Sequence, residues 1–241
     1  MANPLSITLL PEASVTASGS GDAVDITAAR SAARLRFRVT AISAGGLRVF
    51  VDTSADGIAN WSQRAEHSLS SAADLNFTVG DLLQFVRARW ALVGAASGIT
   101  AGLAGEAHQL YCSPADLSRY GLPDSVISDL AASLPDRVDA CLAATDEAEG
   151  YLASRYTMPL SAWGEAVRLH TSKLAIVSFL DRAGWQHDGP DNVIQGAYDR
   201  AIAWLKGVAA GAIQPQGVVD ATPEVDDSSV AHVFGNTPRG W

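Results

Sequence analysis

Three carboxylates crowd one short stretch of the chain: Asp146, Glu147 and Glu149. Carboxylates on a helix can hold a metal, and helical bundles build di-metal sites from Glu-x-x-His sequences on paired helices. That pattern is missing here, since the residue three before His170 is Val167. The three carboxylates therefore read as a solvated helix face. The histidines, at 67, 108, 170, 187 and 232, are scattered and form no H-x-x-x-H pair. His170 lies in an apolar stretch and reads as a hydrogen-bonded core or interface histidine rather than a catalytic one. Cys112 and Cys141 are far apart in sequence and make neither a CxxC nor a zinc pattern, so they read as two reduced, partly buried thiols.

Nucleophile and phosphate motifs are also missing. The chain has no G-x-S-x-G, no P-loop and no G-x-G-x-x-G. SGSGD at 18–22 is Gly-rich but has no helix after it, and reads as a hairpin turn. Six tryptophans, at 61, 90, 163, 185, 204 and 241, raise the possibility of sugar stacking. Four of them fall in or beside expected core elements; Trp61 and Trp241 do not. The alternative reading kept from this is a carbohydrate- or ligand-binding β module, using Trp61, carried on a helical oligomerisation domain. No catalytic residue, metal or cofactor is expected, and the reading is of a protein that is not an enzyme.

The elements that must position any site divide the chain in two. At 241 residues with 48% hydrophobic and 18% charged residues, it has enough apolar content for one large domain or two ordinary ones. No apolar run reaches the ~18 residues that span a bilayer, and MANPLSITLLPEASV lacks a basic n-region, so the expectation is a soluble protein with no signal peptide and no membrane partner. The net charge of −9 is uneven: residues 1–107 carry 8 basic and 9 acidic side chains, residues 108–241 carry 9 and 17. An acidic half repels a phosphate backbone, which disfavours DNA binding but suits a wide ring through which DNA slides.

Residues 1–106 read as β. Candidate strands are 5–10, 23–28, 33–41, 47–54, 73–79 and 83–94. In ARLRFRV, Leu35, Phe37 and Val39 alternate with Arg34, Arg36 and Arg38, the signature of one buried and one wet sheet face. The expectation is an all-β sandwich, Ig-like or jelly-roll-like. AASGITAGLAGEA, at 95–107, is read as a last weak strand and a hinge. Residues 107–212 read as an all-α bundle of four or five helices. Ser113, Pro114 and Asp116 write a helix start. Further helices are expected at 124–134, at 135–156 with Val138, Leu142, Thr145, Ala148 and Leu152 on one face, at 162–183 and at 190–210. The 162–183 segment is apolar on more than one face and should be central. Residues 213–241 form a third unit, an extended tail. It is too polar for its own core, yet it carries Val230, Val233, Phe234 and Trp241, which read as anchors that a partner covers.

Taken in order, several pieces of the helical half resemble the Mu-like tailed-phage family of head–tail adaptor proteins, also called connector, neck or head-completion proteins. They are Tyr111 to Leu117 with Tyr120-Gly121; Gly150 to Tyr156 followed by Met158-Pro159-Leu160; Tyr198 to Leu205 ending in Gly211; and Val233-Phe234-Gly235 with Arg239-Gly240-Trp241. They cover roughly 109–241. The resemblance implies a structural virion protein: a ring of twelve identical subunits below the portal, extending the DNA channel and seating a downstream neck or tail protein. It implies that Val230, Val233, Phe234, Arg239 and Trp241 dock on the portal, that genomic DNA passes without specific binding, and that the protein sits in the capsid–tail neck after assembly in the host bacterial cytoplasm. The N-terminal β half is additional to the usual family domain.

Overall fold

The computed structural model describes residues 4–27, 29–130, 134–183 and 192–219. Nine strands come first: β1 Leu5–Val15, β2 Gly19–Ser20, β3 Val24–Asp25, β4 Arg30–Ala41, β5 Ala44–Ser54, β6 Ser62–Leu69, β7 Ala73–Val79, β8 Phe85–Ser97 and β9 Ile99–Gln109. Five helices follow: α1 Pro114–Tyr120, α2 Asp124–Leu130, α3 Leu134–Leu152, α4 Glu165–Ala183 and α5 Asn192–Ala209. The protein is mixed α+β, with two antiparallel sheets.

One sheet has the order β1-β9-β4-β7; the other has β2-β8-β5-β6, with β3 also pairing β8. In β4 the alternation works as the sequence implies. Leu35, Phe37 and Val39 are buried, while Arg34, Arg36 and Arg38 face outward and pair with Asp139, Asp74 and Glu12. Leu47, Val49 and Val51 of β5 and Val86 and Ala88 of β8 join the same buried cluster as Leu35 and Phe37, so the two sheets share one apolar core.

Four β elements depart from expectation. The stretch read as a weak strand and hinge holds β9, which runs through Glu106 to Gln109 and pairs with β1 on one side and β4 on the other. Its small residues permit that central place: a Cβ on Gly105 would collide with the backbone of Arg34 and Leu35 on β4. Gly19 and Ser20 of the expected hairpin turn pair with Trp90 and Arg89 of β8. Residues 62–69, not singled out from sequence, form β6. This edge strand turns only Ala65, His67 and Leu69 inward, so its apolar signal is faint. The expected strand at 23–28 shortens to Val24–Asp25.

In the helical half, α4 packs against α1, α2, α3 and α5, the central position its broad apolar surface demands. Val138, Leu142, Ala148 and Leu152 on α3, Val167 and Leu174 on α4, and Ala201, Leu205 and Val208 on α5 form its core. Gly211 closes α5 at φ +76°, a left-handed conformation that favours glycine. The two halves meet along α3. Ala32 of β4 is buried within the helical cluster, Thr78 Oγ1 donates to Asp139 at 2.8 Å, and Gly80 lies so close to Val138 that a Cβ there would overlap the valine methyl. The chain is last described at Val219, which bridges to Ala162 just before α4.

Candidate functional site

The sequence YCSPADLSRYG becomes the knot between strands and helices. At the α1 N-terminus, the Asp116 carboxylate accepts from the Ser113 backbone N–H and hydroxyl, each at 2.8 Å, a reciprocal cap that fixes where the helix begins. Arg168 of α4 stands 3.9 Å from the same carboxylate. Two residues before the cap, Tyr111 is fully buried. Its hydroxyl donates to Glu149 Oε1 at 3.0 Å and accepts the Leu160 N–H at 3.2 Å. Its backbone N–H donates to Thr145 Oγ1, and its carbonyl accepts from Trp163 Nε1 at 3.1 Å. The Tyr111 and Trp163 rings lie 5.1 Å apart, and Gln109 Nε2 donates to the Leu160 carbonyl at 2.7 Å. One tyrosine thus ties together the end of β9, α3 and the segment carrying the cis Met158–Pro159 bond. Burial, with the neighbouring Glu149, pushes its phenol far above the ordinary tyrosine range, so it acts as a neutral donor.

This arrangement corrects the reading of the acidic trio. Asp146 and Glu147 are exposed, and Glu147 accepts from the Tyr198 hydroxyl at 3.2 Å, but Glu149 is completely buried. Thr145, four residues before, and Leu152, three after, placed Glu149 on the inward face, and that signal was legible. The cysteines are also more intimate than expected. Both are buried, and the Cys141 thiol is pushed well above its usual pKa, first by its hydrogen bond with Cys112 and then by burial. A raised thiol pKa makes a poor nucleophile.

His170 stacks on Trp204 with ring centroids 4.4 Å apart. Its Nδ1 is buried and has no hydrogen-bond partner among the described residues. Burial, aided by Lys173, lowers its pKa to about 4, so it is neutral at neutral pH. Trp90, Trp163 and Trp204 pack against the two cores; Trp185 lies outside the described residues. Trp61, the expected sugar platform, carries the Arg87 guanidinium 4.0 Å above its ring, so one stacking face is taken by a cation–π contact. Beside it, Asp52 binds Arg87 and Arg89, and Asp56 accepts from the Ile58 and Ala59 N–H groups of its own turn. Among the described residues no group of three or more His, Cys, Asp or Glu side chains could hold a metal ion, and no helix is long and apolar enough to cross a membrane.

Two hollows stand out. The larger, about 740 Å³, is an open trough between the Arg34–Arg36 face of β4 and Asp139 of α3. The other, about 200 Å³, lies among the C-terminal end of α1, α4 and α5. The portal-docking residues Val230, Val233, Phe234, Arg239 and Trp241 all lie outside the described residues.

Two sheets on a five-helix bundle, knotted at Tyr111, define the class: an α+β protein whose conspicuous sequence motif is architectural. Residues 111–233 match the family described as Bacteriophage Mu, Gp36, and with just over half of its length matched, the chain belongs to that family. The match begins at the knot and runs through all five helices. It places the chain among bacteriophage proteins and supports a structural or morphogenetic role. Among solved structures, the chain is similar to the SPBc2 prophage-derived protein YomS, at 10% identity and a TM-score of 0.32, over 45% of this chain and 96% of that one. No curated protein matches the chain.

Proposed function

We propose that the protein is a non-enzymatic head–tail adaptor of a tailed phage. Twelve copies close into a ring below the portal vertex, extend the DNA channel and seat the next neck or tail protein. The observation that carries this reading is the family match across residues 111–233, which takes in the whole helical half and the first part of the tail. Rings close through head-to-tail contacts between unlike flanks of one subunit. The acidic helical half suits a channel wall, because it repels the phosphate backbone and leaves genomic DNA free to slide. The β half forms a sandwich on the outside of the ring, joined to the bundle along α3 through Ala32, Thr78 and Gly80. The tail reaches the portal, with Val230, Val233, Phe234, Arg239 and Trp241 as its contacts and the two aromatics as anchors.

The double substitution Phe234→Ala with Trp241→Ala tests this. Two buried aromatic anchors of ~2 kcal/mol each give at least a ~100-fold loss of affinity for purified portal. Portal binding as tight as that of the unsubstituted protein would overturn the docking, and electron microscopy of the particle would show the ring and its subunit number.

A further inference from the structure

Cys112 and Cys141 are the only cysteines of the chain, and the fold brings them together. Cys112 stands between the end of β9 and the start of α1, and Cys141 lies on α3. One side chain sets their approach. Thr145 Oγ1 accepts the N–H of Tyr111, the residue before Cys112, at 3.1 Å, and donates to the carbonyl of Cys141 at 2.8 Å. The two thiols then meet through a hydrogen bond. Both belong to the helical core, Cys112 at 2% and Cys141 at 0% exposure. Two sulfurs in contact within a packed core need little backbone movement to join, which is the condition a disulfide sets.

The pair is unequal. Cys112 lines a hollow of about 250 Å³ together with Ser113, Asp116, Trp163 and Arg168, and Cys141 is not among its lining residues. A small reagent that enters this hollow therefore meets Cys112, with the Cys141 thiol already in contact with it. One water occupies about 30 Å³ of liquid, so hydrogen peroxide, with one oxygen more, has room there. A sulfur that a small oxidant can reach, beside a second sulfur that it reaches less easily, is the arrangement that converts a sulfenic acid into a disulfide.

We propose that Cys112 and Cys141 form a peroxide-responsive pair, in which Cys112 is oxidised and Cys141 resolves it to a disulfide. The Cys112 sulfur attacks one oxygen of hydrogen peroxide, the O–O bond breaks, and the departing oxygen leaves with the thiol proton as water. Cys112 is then a sulfenic acid. The Cys141 sulfur attacks the Cys112 sulfur, the S–O bond breaks, and the hydroxyl leaves with the Cys141 proton as a second water. The two sulfurs give up two electrons and the peroxide takes them. The thiols persist under the reducing conditions of a cytoplasm, and the disulfide forms where peroxide outruns reduction. It closes a loop of about 30 residues that spans α1, α2 and the first turns of α3. Because the Cys141 thiol is held above its usual pKa, the second step quickens as pH rises. The pair goes beyond the adaptor reading and does not depend on it.

Treatment of the reduced, folded full-length protein with millimolar hydrogen peroxide tests the pair. After catalase quenching, unfolding and exposure to N-ethylmaleimide, intact-mass spectrometry finds a monomer that has lost two hydrogens and takes up no maleimide, and peptide mapping finds Cys112 joined to Cys141. Two maleimides on the treated protein, a sulfinic acid on Cys112 with Cys141 free, or a disulfide between two chains would each overturn the proposal. Dimedone added with the peroxide labels Cys112 in Cys141→Ser protein; equal labelling of Cys141 in Cys112→Ser protein would overturn the assignment of roles. The unsubstituted protein supplies a second readout that needs no variant. Its urea midpoint rises by roughly 1 M on oxidation and falls back with dithiothreitol. A lower midpoint in the oxidised protein would show that the bond forms only by distorting the core, and would overturn the claim that the fold presets it. Portal affinity, which Phe234 and Trp241 report, is a separate measurement.

Discussion

Replacing Tyr111 by Phe deletes one oxygen from the best-connected side chain of the helical half. The ring stays, so its packing against Trp163 at 5.1 Å is kept. The Leu160 N–H, 3.2 Å from the hydroxyl, loses its acceptor. Glu149 Oε1 loses a donor at 3.0 Å, and Glu149 has no exposed surface from which to recruit water. Losing a buried hydrogen bond costs ~1–3 kcal/mol, and two are lost, so the expected destabilisation is about 2–6 kcal/mol. Urea unfolding followed by tryptophan fluorescence measures it as a lower midpoint at unchanged slope. The near-isosteric exchange leaves no new cavity, so the loss reports hydrogen bonds rather than packing. A change below ~0.5 kcal/mol would refute the claim that this hydroxyl holds α3 to the 158–163 segment.

Two further outcomes follow from the helical core. The His170 pKa, lowered to about 4 by burial, means that the unfolded chain binds a proton more readily than the folded one between about pH 4 and the ordinary histidine value of ~6.5; stability therefore rises with pH across that window, by roughly 1–3 kcal/mol, and His170→Phe flattens this part of the urea-midpoint profile, whereas an unchanged profile would show that His170 is not the group responsible. At Gly121 a Cβ would run into the Ile176 side chain where α1 meets α4, so Gly121→Val overpacks that crossing and costs ~1–3 kcal/mol, read by thermal or urea unfolding; no loss would mean that α1 shifts freely on α4.

The helical half was legible because its signals are local. Ser113, Pro114 and Asp116 mark the start of α1 by chemistry that acts within three residues, and α3 and α5 announce themselves through apolar residues at helical spacing. In β4, strict alternation needs only the pleat. The same logic fails for β9. Its sequence, ITAGLAGEAHQ, has low strand propensity, and only the neighbours reveal why: β1 and β4 flank it closely, and Gly105 is small because the β4 backbone lies against it. The edge strand β6 was missed for the opposite reason. With solvent on one side and the sheet edge open, it needs little apolar surface to form.

The sequence by itself determined the division of labour between a strand-rich first half and a helical second half, the capping of α1, the central place of α4, and the uneven charge. Each follows from short-range spacing or from counting. Only the tertiary structure decided that Glu149 meets the Tyr111 hydroxyl, that Cys112 and Cys141 meet, that Arg87 covers one face of Trp61, and that Lys173 and Arg200 frame a hollow. These pairs are separated by 26 to 38 residues. No local pattern encodes such encounters, because they depend on how whole elements pack, and packing is set by the sum of many weak contacts rather than by any one stretch of chain.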